Sequence, residues 1–475
     1  MLLLMRTESP SSSRSPDSPY QRNQLLLAMA GICAAVVVAA FDSTIVSTSM
    51  PQVAQALDGM DSYAWVGTGY FLACAITILI FGRIGDLYGR KHLMLISLAI
   101  VGLGSILSGV SQSMAQLIGF RIFQGLGGGM MIATTFTAPA DIFPDHKERV
   151  RWMALVSVAF AVSSGLGPVL GGMLTQALSW RAAFFLTPAA AGVAIYMIWT
   201  HFPKVTPPRK ADNHRFDWLG AAVLTVAVGA PLAGLELAIA PSKSNHLLLA
   251  LSLMLAGGLS AWALIPIERR AVTPIFPLRI LRTAKARWLN LAAFLIGAVM
   301  YVLIFYIPLL LQDQFGFSPT KAGLLMTPLV AGIPIGSICN GYFFRRISHP
   351  QRLMVLGAAL LSLGCVSTVT FTAQSSDTWI LLTLALCGVG LGFLLQNFTL
   401  FMQMLAERAD VGVASGLVQT TRAVGSAAGT ATVGILIARI SVGTGVKVGL
   451  IICVLVCVFV AWVSLRIRIQ HEDNP

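Results

Sequence analysis

Fourteen apolar stretches, each close to the length needed to cross a bilayer, decide most of what this chain can fold into. A membrane helix needs roughly 20 consecutive apolar residues. Such stretches recur at 25–49, 63–81, 92–110, 115–140, 152–175, 182–200, 216–239, 246–267, 288–311, 321–344, 353–373, 378–405, 412–437 and 448–465. The first shows the pattern, with no charge between Leu25 and Phe41. Inside lipid every backbone polar group must be satisfied within its own segment, so runs of this length read as helices. The expected fold is an all-α polytopic membrane protein. Charged residues make up 11 % of the chain, against about 25 % in a soluble one, which is too few to coat a water-facing surface.

The placement of lysine and arginine sets the orientation. With the N-terminal side taken as inside, 25 of the 32 basic residues fall in inside segments. Five (Arg181, Lys243, Lys321, Arg439 and Lys447) fall outside, and Arg121 and Arg422 lie within spans. An even number of spans puts both termini on one side, and this bias makes that side the cytoplasm. The net charge of +13 belongs to short loops and forms no continuous stripe, so nucleic acid is not an expected partner. All seven cysteines lie in apolar segments and read as small buried hydrophobes. Neither CxxC nor paired Cys/His spacing suggests a metal. "GLGGGM" and "GVGLGF" sit inside spans with no strand before them, and no nucleophile–base pair or P-loop occurs. No enzymatic activity and no cofactor are expected.

The organisation is six spans, an inserted pair, and six more. Residues 1–24, rich in Ser, Pro and Arg, form a disordered tail. They lack a signal-peptide cleavage pattern, and Met5 offers a second start. The first bundle covers 25–200. The segment 201–285 carries the longest inside loops and two spans, the second bundle covers 286–469, and 470–475 form a short tail. Six plus six with an insertion is what transporter repeats produce. The GxxxG spacings 125/129, 332/336, 388/392 and 425/429 read as helix-packing faces.

"GRIGDLYGRK" joins the second and third spans. Gly82, Gly85 and Gly89 permit a tight turn and close helix approach. Asp86 is expected near the start of the third helix, where the dipole favours an anion, with Arg90 and Lys91 at the membrane edge. The spacing G-x-x-x-D-x-x-G-R-K resembles the signature loop of the major facilitator superfamily. Three further stretches agree. "RIFQGLGGG" resembles the fourth-helix motif, with Arg121, Gln124 and Gly125. "GLGPVLGG" resembles the fifth-helix motif of antiporters, in which Pro168 bends the helix while Gly167, Gly171 and Gly172 allow close packing. "DSTIVSTSMP" resembles the first-helix motif of the fourteen-helix drug:proton antiporter branch, and "SWRAAFFLTP" and "FDWLG" resemble stretches that recur elsewhere in that branch. Ser47, Ser163 and Thr187 depart from the residues usual in that branch. The resemblance implies a major facilitator fold of two six-helix bundles plus two linker helices. It also implies that the Gly82–Lys91 loop helps to close the cytoplasmic side.

Four charges fall within spans, and an ionisable residue at depth usually faces a partner or a cavity. Glu236 is near the outer end of its helix and reads as interfacial. Arg422 is ten residues into the thirteenth span, ~15 Å by helical rise, and suits either an inter-helix contact or a cavity wall. Asp42 lies nine residues before Pro51 and Arg121 seven after Met114, ~13 Å and ~10 Å below the same surface. At similar depth on helices 1 and 4, the two are expected to share a cavity, with a buried structural ion pair as the plainer alternative. Hydroxyls at 43, 44, 47, 48 and 49, Thr44 and Ser47 among them, would make a polar wall. Burial favours the neutral form of a carboxyl group and a guanidinium favours the charged one, so a balanced site can exchange a proton for a substrate.

The expectation is a proton-driven exporter of amphipathic, cationic drugs or metabolites in a bacterial cytoplasmic membrane. Its partners would be protons, a small molecule and the bilayer, and a periplasmic adaptor leaves no readable mark. An uptake symporter on the same fold is one competing reading. A non-transporting receptor or scaffold, indifferent to Asp42, is the other.

Overall fold

A computed structural model describes residues 22–143, 145–203, 216–237, 245–271, 275, 279–344, 346–347, 349–406 and 411–467. Residues 1–21 of the expected tail, the tail at 470–475 and most of the loop at 201–215 lie outside those residues, whereas 22–24, expected to be disordered, are the first residues of α1. Among the described residues the regular elements are helical, and the α-helices number fifteen. They are α1 (Arg22–Ala56), α2 (Tyr63–Tyr88), α3 (Lys91–Gly109), α4 (Met114–Thr135), the short α5 (Ala138–Ile142), α6 (His146–Ala177) and α7 (Trp180–His201). After these come α8 (Trp218–Leu237), α9 (Asn245–Arg270), α10 (Ala284–Leu309), α11 (Pro319–Phe344), α12 (Gln351–Val369), α13 (Asp377–Leu405), α14 (Val411–Arg439) and α15 (Val442–Arg466).

Among the described residues, 13 helices are long and apolar enough to cross a membrane. The span expected at 216–239 is α8, whose apolar part, Trp218–Gly234, is shorter. It packs on α9 and also meets α2 and α14. The first span runs beyond its expected edge. Proline removes one backbone donor, yet α1 continues through Pro51 to Ala56. Asp42 is therefore 14 residues from the end of its helix, ~21 Å, deeper than a helix stopping at Pro51 would place it.

Two groups of helices pack among themselves. In the first, α1 lies on α6 and α7, α2 on α4, and α3 on α4 and α7. In the second, α10 lies on α14, α11 on α13, and α12 on α13 and α15. The groups meet where α2 runs against α14 and α6 against α11. Large apolar side chains point outward, such as Leu248 at 71 % and Trp262 at 73 % exposure, as a lipid-facing surface requires.

Lipid gives apolar side chains little reason to leave it, so helix association rests on close packing and buried hydrogen bonds. All four GxxxG pairs sit at such contacts. A Cβ on Gly388 would lie 3.0 Å from the Gly332 Cα, and one on Gly392 would lie 2.8 Å from the Gly336 Cα, so the α11 and α13 pairs interlock. Gly125 and Gly129 lie against α2 at Tyr70 and Cys74, and Gly425 and Gly429 against α10 at Phe294 and Ala298. Nearer the other end of α11, Asn340 Nδ2 donates to Asn397 Oδ1 at 3.0 Å, and Asn397 Nδ2 returns the bond at 2.9 Å. Both side chains are fully buried. Asn340→Leu should lower unfolding stability by about 1–3 kcal/mol, because the amide of Asn397 loses its partner. The double change to leucine should recover most of that in a thermal-shift measurement.

Candidate functional site

Asp42 and Arg121 come together between α1 and α4. Arg121 Nη1 donates to Asp42 Oδ1 at 3.3 Å, and the two residues are 1 % and 3 % exposed. Gln124, one turn further along α4, stands on the same helix face as Arg121. Its Oε1 accepts from Arg121 Nη1 at 2.9 Å, its Nε2 donates to Asp42 Oδ1, and Ser108 Oγ of α3 donates to its Oε1 at 3.4 Å. The Arg121 guanidinium also lies over the Tyr70 ring of α2, 4.2 Å from its centroid, a cation–π contact that gains strength where water is excluded. Four helices thus converge on one carboxylate, whose Oδ2 has no hydrogen-bond partner, nor has Arg121 Nε. Two opposite charges out of water recover their desolvation only with good geometry and further hydrogen bonds. Gln124 and Ser108 supply part of that. Tyr70 carried no sequence signal, since an aromatic residue in an apolar helix looks like core.

The hydroxyl wall is a correction. Thr44 donates to Ala40 O at 2.8 Å, Ser47 to Thr44 O at 2.7 Å and Ser49 to Ile45 O at 3.3 Å. Thr48 donates across to Pro168 O at 3.1 Å, and Thr175 to Ser49 Oγ at 2.8 Å. Thr44, Ser47, Thr48 and Ser49 are buried, while Ser43 is part-exposed. In an apolar medium a hydroxyl without water turns to the nearest backbone carbonyl, so these groups seal α1 against α6. The fifth-span motif forms the other side of the seal: Gly167 faces Thr44, Gly171 faces Ile45 and Thr48, and Gly172 faces Pro319 of α11.

Closure extends between the two helix groups at this same end, opposite Arg90 and Lys91. Gln312 Nε2 donates to Thr48 O at 2.8 Å from a π-helical turn, Leu310–Gln314. Tyr63 Oη donates to Phe305 O at 3.2 Å, Thr68 and Thr430 share a bond of 2.9 Å, and Thr320 N donates to Gln176 Oε1 at 3.4 Å.

The signature stretch is more helical than expected. Residues 82–88 complete α2, and the turn is Gly89 with φ 89° followed by Arg90. Asp86 therefore belongs to the last turn of α2 and not to the start of the third helix, and its side chain lies outside the described set. Gly85 meets the Arg90 side chain, while a Cβ on Gly82 would find nothing nearer than Ala133 at 3.9 Å, so only part of the expected close approach is present. Arg90 pairs with Asp141 on α5. Lys91 Nζ donates to Trp199 O at 3.0 Å and Phe202 O at 2.7 Å, meeting the carbonyls left open where α7 ends. These bonds tie the loop to its own helix group. Arg90→Ala and Asp141→Ala should each weaken this end of the bundle, with the double variant costing less than the sum of the two in thermal unfolding.

Arg422 sits in the middle of α14, where its stem packs over Gly297 of α10. Glu236 is in α8, and its side chain lies outside the described set. No group of three or more His, Cys, Asp or Glu among the described residues could hold a metal ion.

This architecture, a helical membrane bundle with a buried ion pair in its first half, is that of a multi-pass transporter. The family model for the Major Facilitator Superfamily matches residues 32–430, and the chain belongs to that superfamily. It is a transporter and not an enzyme. Multidrug resistance protein 3 of Bacillus subtilis is 30 % identical over 370 residues, covering 78 % of this chain and 70 % of that one. Multidrug transporter protein MdtP of the same organism is 27 % identical over 421 residues, covering 87 % and 75 %. A bacterial homologue of the human lysosomal transporter Spinster, in an inward-facing and unoccupied conformation, has the same fold. Its TM-score is 0.68 at 13 % identity, covering 95 % of this chain and all of that one.

Proposed function

We propose that this protein exports amphipathic small molecules from the cytoplasm by exchanging them for protons, with Asp42 as the coupling carboxylate. The observation that carries the reading is the Asp42–Arg121 pair at 3.3 Å, buried among four helices and with Asp42 Oδ2 still unpartnered. A free carboxylate oxygen at that depth is a place for a proton or for a substrate cation. Occupation of Asp42 by either changes the field felt by Arg121, and with it the balance between packing states. The bias of basic residues supports an orientation with both termini on the cytoplasmic side of a cell membrane. On that orientation the bonded end of the seam faces outward. Moving one charge across the membrane is worth about 2.3 kcal/mol per 100 mV, an energy source that needs no nucleotide site. Relatives named for multidrug resistance agree with a broad amphipathic substrate class. The test is proton release by purified protein in weakly buffered solution as hydrophobic amines and other amphiphiles are added. Release saturating with compound supports exchange, and no release across the panel would favour uptake or a non-transporting role.

A further inference from the structure

A second charged group lies within the spanning region, and none of the described residues neutralises it. Arg422 lies 11 residues into α14, ~16 Å from the helix end, and is part-exposed. No hydrogen bond, ion pair or ring contact engages its guanidinium among the described residues. Its neighbour is Tyr301 of α10, which stands within electrostatic range of both Arg422 and Asp42. Tyr301 packs against Phe71 of α2 with ring centroids 3.8 Å apart and ring planes tilted by 52°. Phe71 in turn meets Tyr70 edge-on at 5.3 Å, and Tyr70 carries Arg121. An aromatic path therefore runs across the seam from the buried ion pair to Arg422. Tyr301, Arg422 and Ser43 are all part-exposed, and they stand on α10, α14 and α1, of which α10 packs against both of the others. Tyr301 and Ser43 thus stand on helices that meet across the two helix groups, with Arg422 on the neighbouring α14.

Among the described residues Asp42 pairs with Arg121, and Arg422 has no local counter-charge. A guanidinium in a membrane interior calls for a counter-charge, and its planar fork receives a carboxylate through two parallel bonds. We propose that Arg422 binds the carboxylate of a zwitterionic amphiphile whose aromatic body lies beside Tyr301 and whose ammonium group is directed toward Asp42. This names the substrate class of the exporter proposed above and rests on that reading for the role of Asp42. It departs from the purely cationic substrate that the sequence suggests.

Three probes share one body: 4′-(aminomethyl)biphenyl-4-carboxylic acid, its methyl ester, and biphenyl-4-carboxylic acid. Their affinities for the full-length protein in lipid nanodiscs, measured by titration calorimetry without any gradient, separate the groups. Wild type is expected to bind the amino acid at least about tenfold more tightly than the ester, as befits a charge-assisted pair. Arg422→Gln should abolish that preference and leave the ester within about twofold of wild type, while Arg422→Lys should keep part of it. A wild type without preference for the carboxylate, or an Arg422→Gln protein that loses ester and acid alike, overturns the proposal. Because affinity is read without a gradient, failure of proton coupling leaves this result standing, and its own failure leaves the proton-release test untouched.

Discussion

Asp42→Asn should leave a membrane-inserted protein that binds amphiphiles but no longer concentrates them. In everted vesicles at 100 mV, one charge moved per cycle supplies about 2.3 kcal/mol. At about 1.4 kcal/mol per tenfold, that sustains an accumulation of about fiftyfold. The wild type should approach this ratio for a substrate of no net charge exchanged against one proton. The asparagine variant should fall to about one, with no proton release on binding. Removing one partner of a buried pair also leaves the other exposed to a low dielectric, at about 3–5 kcal/mol, so the single variant is expected to be less stable. The double variant Asp42→Asn/Arg121→Gln removes both charges at similar volume. It should regain much of the stability and none of the coupling. Gradient-driven accumulation by either variant would sink the role given to Asp42.

Gly392→Val should prevent stable folding. Any Cβ at 392 meets the Ile333 carbonyl, the Ser337 amide nitrogen at 2.7 Å and the Gly336 Cα at 2.8 Å. Every one of these is backbone, so no side chain can swing aside, and α11 and α13 must separate along their length. Overpacking a tight contact commonly costs about 1–3 kcal/mol. The cost here should be at the top of that range or above, because Gly336, Gly332 and Gly388 lose their contacts together. The expected result is little monodisperse protein after detergent extraction. Gly258→Val, at a site where a Cβ meets nothing within 4 Å, should purify like wild type. Equal yields for the two would mean that the interlocked glycines do not hold this contact.

Helix positions were legible because lipid imposes one rule on every span, and that rule is written in length and charge. The ion pair was legible too, since Asp42 and Arg121 are rare charges in apolar runs. Tyr70 and Tyr301 were not, because an aromatic side chain in a spanning helix looks the same whether it meets lipid, a neighbour or a cation. Asp141 was hidden for a different reason: its partner Arg90 lies 51 residues away, and no spacing rule links the two. The hydroxyls of α1 misled because a polar side chain can face a cavity or bond its own helix, and the same residues serve for either.

Sequence alone determined the membrane class, the approximate positions of the helices, the small-residue faces and the two charges of the buried ion pair. Each of these follows from the cost of exposing backbone or charge to lipid, which acts on one segment at a time. Tertiary structure alone decided which faces meet: α13 on α11, the α1 hydroxyls against α6, and Gln124 and Tyr70 around the ion pair. It also left Arg422 without a counter-charge among the described residues. Those outcomes depend on how helices far apart in the chain dock, and in lipid that is settled by backbone fit and buried hydrogen bonds, neither of which a single segment specifies.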